Sequence, residues 1–323
     1  MNFQDLSNIE DYKSYLDIAF GRARKKVRDT SLKIKDKLVK KKRLEQIKVE
    51  SVSDSITVAM VRIEKSFPSI ESLPEFYKEL CKLSFDIDEV KKSIATLKWA
   101  SDQIRLLSRE TSKNIKMARS ESSVTKYRDA FYGRVSSVMK RIRNDLALLE
   151  RVRKIMKGFP AVKENLYTVA IVGFPNVGKS TLLSSITESK VEINSYAFTT
   201  KSLLMGYMKN GNEKVQFIDT PGTLNRDDKK NMIEKQADLA MKYVADLLVY
   251  VFDPTEYYTI EKQEKLLKNV SKIGKDILLY MSKTDIADPD IIDSIAIKHP
   301  EIIRDKDLLV SAIKKNIKHR RIR

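Results

Sequence analysis

Apolar residues in the first half of the chain recur at three- and four-residue intervals, the spacing of one helix face. Ile87, Val90, Ile94 and Leu97 form one such run; Val135, Val138, Ile142, Leu149, Val152 and Met156 form another. The periodicity predicts helices near 7–24, 25–66, 74–83, 86–120 and 123–157. The second, fourth and fifth are long enough to pack as an antiparallel bundle. "SFPSIESLPE" breaks the chain between the second and third. The pattern changes character near Gly158-Phe159-Pro160. Beyond it come the short apolar runs "TVAIVG", "SLLMGYM", "KVQFIDT", "DLLVYVFD", "DILLYMS" and "DLLVSA". Helical stretches around 180–188, 230–243, 256–273 and 288–298 separate most of them. Apolar strands alternating with helices predict a mostly parallel six-stranded sheet covered on both faces. In "YMKNGNEKV", Asn210-Gly211-Asn212 reads as a hairpin turn that adds one antiparallel strand. The expected architecture is an antiparallel helical bundle in residues 1–160, followed by an α/β domain in 161–323.

A chain of 323 residues is long enough for two domains, each with its own core. Hydrophobic residues make up 42% and charged residues 33%, a globular balance. No window approaches the roughly 20 apolar residues of a membrane span, and "MNFQDLSNIEDYKSYL" does not read as a signal peptide. Cys81 is the single cysteine, which excludes an intrachain disulfide. With only His299 and His319 beside it, little remains for a zinc site. These features predict a cytoplasmic protein, expected to be a monomer.

Charge sharpens the picture. The net charge is +18, and fourteen of those eighteen charges fall before residue 167. They are densest from Arg22 to Arg43 and from Arg141 to Lys157. Such asymmetry points to a polyanionic partner, either nucleic acid or an anionic membrane face, although long helices with solvated Lys and Arg also look this way. Lys33, Lys37, Lys40 and Lys41 are spaced to share roughly one helix face. With Arg141, Arg143, Arg151 and Lys154 they are the candidate contacts to such a partner, RNA among the possibilities. Trp99, the only tryptophan, reads as bundle core or interface rather than a base-stacking platform.

The chemistry begins where the first strand ends. "GFPNVGKST", Gly173 to Thr181, fits G-x-x-x-x-G-K-[ST] after a strand and before a helix. Gly173 and Gly178 let the loop fold back so that backbone N–H groups, including those of Asn176, Val177 and Thr181, can face phosphate oxygens at a helix N-terminus. Lys179 is placed to reach the β- and γ-phosphates and Ser180 to ligate Mg²⁺. "FIDTPGT" ends the third run: Asp219 can hold Mg²⁺ through a water, and the Gly222 N–H can meet a γ-phosphate. In "YAFTTKS" between them, Thr200 is the candidate second protein ligand to Mg²⁺, with Thr199 its rival. Lys179, Thr200 and Gly222 are therefore the candidate catalytic groups. "SKTD" follows the fifth run, where Asp285 can accept from guanine N1 and the 2-amino group while the Lys283 stem lies over the base. "SAI" follows the last run, where the backbone of Ser311 and Ala312 is placed to meet guanine O6. Five elements in order favour GTP and GDP over adenine nucleotides.

"GFPNVGKST", "YAFTTKSLLMGYM", "FIDTPGTLNR" and a helical domain that precedes the nucleotide domain resemble the nucleolar GTP-binding protein family, in the Obg superfamily of TRAFAC-class GTPases. The resemblance covers essentially the whole chain. It implies a Ras-like G domain, GTP hydrolysis with Mg²⁺, and assistance to assembly of the large ribosomal subunit through rRNA bound by the basic domain. Three features depart from the pattern. Ser282 stands where the family usually has Asn. Thr223 follows Gly222 where the superfamily usually has a large apolar residue and many small GTPases a water-orienting glutamine. The sequence ends soon after "SAI", without the long C-terminal extension of the nucleolar proteins. Thr223 is too short to place a water as glutamine does, so intrinsic hydrolysis is expected to be slow. Asn176 resembles the asparagine that binds K⁺ in several GTPases lacking that glutamine, which makes K⁺ a second candidate cation. The competing reading is a GTP-regulated adaptor whose helical domain grips a protein or an anionic membrane.

Overall fold

In the computed structural model, the residues described are 3–163, 165–187, 192–195, 202–211, 213–220, 232–255 and 257–320. The first half is helical: α1 (Tyr12–Arg28), α2 (Lys37–Ser66), a short 3₁₀ turn (Ile70–Ser72), α3 (Glu75–Ser84), α4 (Ile87–Met117), α5 (Glu121–Arg141) and α6 (Arg143–Lys157). The second half alternates: β1 (Tyr167–Val172), α7 (Lys179–Ile186), β2 (Glu192–Ser195), β3 (Ser202–Asn210), β4 (Glu213–Asp219), α8 (Met232–Leu239), β5 (Leu247–Phe252), α9 (Ile260–Ser271), β6 (Asp276–Met281), α10 (Pro289–Lys298) and α11 (Lys306–Arg320). A single π-helical turn, Ala240–Val244, ends α8.

Two compact units emerge. One contains residues 4–72 and 84–157; the other contains 1–3, 73–83 and 158–323. The stretch bearing α3 thus packs with the C-terminal unit, although both its flanks in the chain belong to the helical one. Tyr77 of α3 is its anchor. Its hydroxyl donates to the Pro160 carbonyl at 2.8 Å and accepts from the Val162 amide at 3.0 Å.

Within the helical unit, α2 packs on α1, α4 and α5, and α4 on α5 and α6. Two helices expected to be continuous are each divided. Asp36 accepts from the Val39 amide and starts α2, while Thr30 Oγ1 donates to the Lys26 carbonyl where α1 ends. Lys33 therefore lies between helices, not on one face with Lys37, Lys40 and Lys41. The other division falls at Ile142, fully buried between α5 and α6. Trp99 is only half-buried, with the Arg141 guanidinium 4.8 Å from its ring centroid. Cys81 is buried, and burial pushes its thiol up to about 12.

The sheet of the second unit runs in the order β2-β3-β4-β1-β5-β6. Pairings β1–β4, β1–β5 and β5–β6 are parallel; β2–β3 and β3–β4 are antiparallel. Every residue of β5 is buried, as expected for a strand covered on both faces. Asn210 pairs with Glu213, so a two-residue turn joins β3 to β4, with Gly211 at φ 62°. Among the described residues the sheet's membership is not the one expected. "DLLVSA" is helical, within α11, and the sixth strand is the edge segment Glu192–Ser195. Leu309, Ile313 and Ile317 repeat every four residues and bury one helix face in the core. Beyond β6 the sheet continues only as a single parallel bridge between Tyr280 and Ile303.

One buried charge organises the helical unit. Glu45 is 2% exposed and meets Lys48 at 2.9 Å, Arg128 at 3.3 Å and Lys41 at 3.5 Å. Burial alone would raise its carboxyl. The Lys48 hydrogen bond and the charges of Lys48, Arg128 and Lys41 outweigh that and hold it below the ordinary carboxylate value. A depressed value contributes stability above the unfolded pKa of about 4.3, lost as pH falls through the folded one. Replacing Glu45 with Gln should therefore cost about 1–3 kcal/mol near neutral pH. The difference in melting temperature from the native chain should close as the pH is lowered below about 4, in thermal melts followed by circular dichroism.

Candidate nucleotide site

The site is assembled at the carboxyl ends of parallel strands, where an open α/β sheet leaves a crevice. Gly173 begins the loop after β1. A Cβ there would stand 2.9 Å from the Val251 carbonyl oxygen and 3.2 Å from the Val177 side chain, so only glycine fits. Gly178 adopts φ 91°, and Asn176, exposed, adopts φ 63°. No side chain caps the start of α7 at Gly178, which leaves that helix end turned to a ligand. Lys179 is 6% exposed and its Nζ donates to the Phe174 carbonyl at 2.7 Å, closing the loop on itself. Thr181 is exposed on the first turn of α7.

Ser180 and Asp219 meet across this crevice, with Ser180 Oγ donating to Asp219 Oδ2 at 2.5 Å. Asp219 Oδ1 is buried and has no hydrogen-bond partner among the described residues. Burial raises the Asp219 carboxyl, and the Lys179 charge with the Ser180 hydrogen bond offsets this only in part. A buried carboxylate oxygen without a donor, beside a hydroxyl, suits a hard cation that takes oxygen ligands. The residues present therefore fit Mg²⁺. Thr220 leaves β4 with its amide and hydroxyl both donating to the Ile171 carbonyl, at 3.2 and 2.8 Å, which fixes the strand end. Thr199, Thr200, Gly222 and Thr223 lie outside the described residues.

The loop expected to recognise the base follows β6. Ser282, at the position where asparagine was expected, still joins the loop to the phosphate-binding segment. Its hydroxyl faces the Val177 carbonyl at 2.7 Å and the Phe252 carbonyl at 3.0 Å. Lys283 is held at φ 53°, and Asp285 is exposed. Ser311 and Ala312 do not join this group: they lie on α11, Ser311 exposed, because the run carrying them is helical. The strand expected to carry them is thereby corrected to helix. Asp253 went unpredicted. This fully buried residue follows β5 and accepts from Lys283 Nζ at 2.7 Å. Its legible signal was an acid at the end of an apolar strand, the same pattern that marked Asp219.

Comparison with known proteins agrees with this geometry. Residues 3–163 match the NOG1 N-terminal helical domain, and residues 168–283 match the 50S ribosome-binding GTPase family. The chain belongs to the nucleolar GTP-binding protein family. An uncharacterized protein of Methanocaldococcus jannaschii is 38% identical over 78% of this chain and 72% of its own length. Nucleolar GTP-binding protein 1 of Saccharomyces cerevisiae is 30% identical over 91% of this chain. The chain spans only 46% of that yeast protein. A crystal structure of a putative nucleolar GTP-binding protein 1 from Plasmodium falciparum aligns at 24% identity and a TM-score of 0.40, over 51% of this chain and 94% of that one. Membership of this family carries guanine-nucleotide binding and GTP hydrolysis in general terms. The cytoplasmic placement expected above is corrected by the names of the eukaryotic relatives, which refer to the nucleolus. A lone cysteine and the lack of a long apolar window cannot separate those compartments. Among the described residues no helix is long and apolar enough to cross a membrane.

The Ser282 contact is open to test. Removing a hydroxyl that bonds a buried carbonyl costs about 1 kcal/mol. Ser282→Ala should therefore weaken GDP binding about fivefold while leaving guanine preferred over adenine. Asp285→Asn should instead erase the preference itself, in fluorescent-nucleotide titrations run on both variants.

Proposed function

We propose that this chain is a GTP-gated assembly factor for the large ribosomal subunit, gripping rRNA through its basic helical half and hydrolysing GTP slowly. Residues 1–160, apart from the 73–83 stretch that belongs with the C-terminal unit, would form the rRNA-binding part, and 161–323 the G domain. Support comes chiefly from one observation: Lys33, Lys37, Lys40, Arg143 and Arg151 are exposed, and none forms an ion pair among the described residues. Positive charge kept clear of carboxylates is available to phosphate. The remaining candidates are partly engaged. Lys41 pairs with Glu45, Lys154 lies 3.5 Å from Glu150, and Arg141 covers Trp99. We therefore assign the phosphate contacts first to the five exposed residues.

In the G domain, Gly173 to Thr181 cradle the phosphates, and Asp285 with Lys283 selects guanine. Lys179 lies buried and would neutralise phosphate charge, one part of the electrostatic stabilisation on which phosphoryl transfer depends. Ser180 and Asp219, with Thr200 or Thr199, would hold Mg²⁺. That ion would neutralise charge developing on the β- and γ-phosphate oxygens. GTP would order the segments bearing Thr200 and Gly222, and hydrolysis would release them, so the nucleotide state sets affinity for the particle. K⁺ beside the phosphates, held by Asn176, would supply charge that other GTPases draw from an arginine finger.

Counterion release makes the rRNA assignment measurable. Log affinity for a large-subunit rRNA fragment should fall linearly with log salt. Neutralising Lys37 and Lys40 together should flatten that slope by roughly two units, near one per lost contact, with GTP affinity unchanged. Weak binding at physiological salt with an unchanged slope would favour the protein-adaptor reading, and equivalent binding to anionic vesicles the membrane one. Turnover without a partner should stay below about one per minute. It should be faster in KCl than in NaCl, a difference that Asn176→Ala should abolish; identical rates in the two salts would remove K⁺ from the mechanism.

A further inference from the structure

A buried polar cluster behind the guanine loop contains no residue that the nucleotide motifs name except Lys283. Asp253 sits at its centre, fully buried at the end of β5. Its Oδ2 accepts from Lys283 Nζ at 2.7 Å; its Oδ1 accepts from the Thr255 amide at 3.0 Å and the Thr255 hydroxyl at 2.7 Å. The main chain of Asp253 is fixed as firmly. Gln263, fully buried on α9, accepts from the Asp253 amide at 2.9 Å through Oε1. Its Nε2 donates to the carbonyls of Asp253 and Tyr258, each at 2.8 Å. The Gln263 carbonyl in turn accepts from the Tyr250 hydroxyl at 2.7 Å.

The cluster reaches the phosphate loop as well. The Tyr258 ring stacks on Phe174 with centroids 4.4 Å apart and planes 22° from parallel. The Phe174 carbonyl is the one that receives Lys179. One glutamine side chain thus ties together the acid that grips Lys283 and the tyrosine that walls the phosphate loop.

Two physical facts argue that this is more than packing. A buried carboxylate is costly unless paired, and a chain needing only a firm core would do as well with apolar residues here. The carboxylate is instead turned to Lys283, which stands at φ 53°, a backbone conformation that lysine seldom adopts. Such strain persists only where the surroundings over-determine it, and it gathers at ligand clamps. Lysine is also long and flexible, so an unfixed Lys283 would lose rotamer freedom each time a nucleotide bound.

We propose that Asp253 and Gln263 are positioning residues for nucleotide binding. Asp253 holds the Lys283 ammonium so that its stem is set for guanine before the nucleotide arrives. Gln263 fixes Asp253 and, through Tyr258 and Phe174, one wall of the phosphate loop. This rests on the reading of Lys283 and Asp285 as the guanine site.

Asp253→Asn tests it with the least disturbance, because the amide keeps the shape, can still accept from Thr255, and leaves the Gln263 bonds in place. GDP should dissociate about tenfold faster by stopped-flow fluorescence, with little change in association rate. Lys283→Met keeps most of the stem and removes the ammonium. In that background Asp253→Asn should speed dissociation no further, the non-additivity of two residues acting through one contact. Gln263→Met should release GDP at least as fast as Asp253→Asn, because it frees Tyr258 too. Melting temperatures without nucleotide separate positioning from bulk stability. Lower melting points with unchanged GDP dissociation would overturn the proposal, as would equal Asp253→Asn effects in both backgrounds. A native chain that binds ATP as tightly as GTP would overturn the guanine site itself and this proposal with it. A native guanine preference with unchanged dissociation in Asp253→Asn overturns only the positioning role.

Discussion

A carboxylate taken out of water demands a positive partner, and at the end of β4 that demand falls on Asp219. One of its oxygens is met by Ser180, the other by nothing among the described residues, while Lys179 stands close enough to lower its proton affinity. The rest of the C-terminal unit is arranged so that this unresolved charge can exist. Four parallel strands bring their carboxyl ends together, the Gly173 backbone passes close against Val251, and Thr220 is pinned to Ile171 so the strand cannot twist Asp219 back to solvent. A buried carboxylate oxygen without a donor is the chemistry that would suit a hard cation.

The helical unit solves a similar problem differently. Glu45 is as buried as Asp219, yet three cations of its own unit surround it. Its charge is spent internally, joining α2 to α5. Lys41, one of those three, is thereby engaged by the helical unit itself, while Lys40 beside it and Lys37 one turn earlier remain in water. Two buried acids in one chain thus show the two uses of the same chemistry: closed for holding helices, open for holding a ligand.

Much of this was legible in the sequence. Periodicity located the helices, and glycine spacing with the residues around it located the phosphate loop. What escaped was decided by contacts distant in sequence. The division at Ile142 was hidden because the apolar repeat Val138, Ile142, Leu146 and Leu149 continues in phase across it. "DLLVSA" was ambiguous because a short apolar run suits a buried strand or a helix face equally, and only the register of Leu309, Ile313 and Ile317 decides it. The edge strand Glu192–Ser195 has no apolar alternation to announce it. Asp253 and Gln263 are ten residues apart in the chain and meaningless separately; the fold alone turns one toward Lys283 and the other toward it.

The placement of α3 carries a consequence for the order in which the chain matures. Its ribosomal synthesis precedes that of Pro160 and Val162, the backbone groups its Tyr77 will bind, by the full length of α4, α5 and α6. During that interval the apolar face of an amphipathic helix, with Phe76, Tyr77 and Leu80 destined for burial, has no finished surface to rest on. The C-terminal unit is built from three separate stretches of chain, so it cannot be completed as its last residues emerge unless that early helix has stayed accessible. Cutting or grafting at a single junction would divide it.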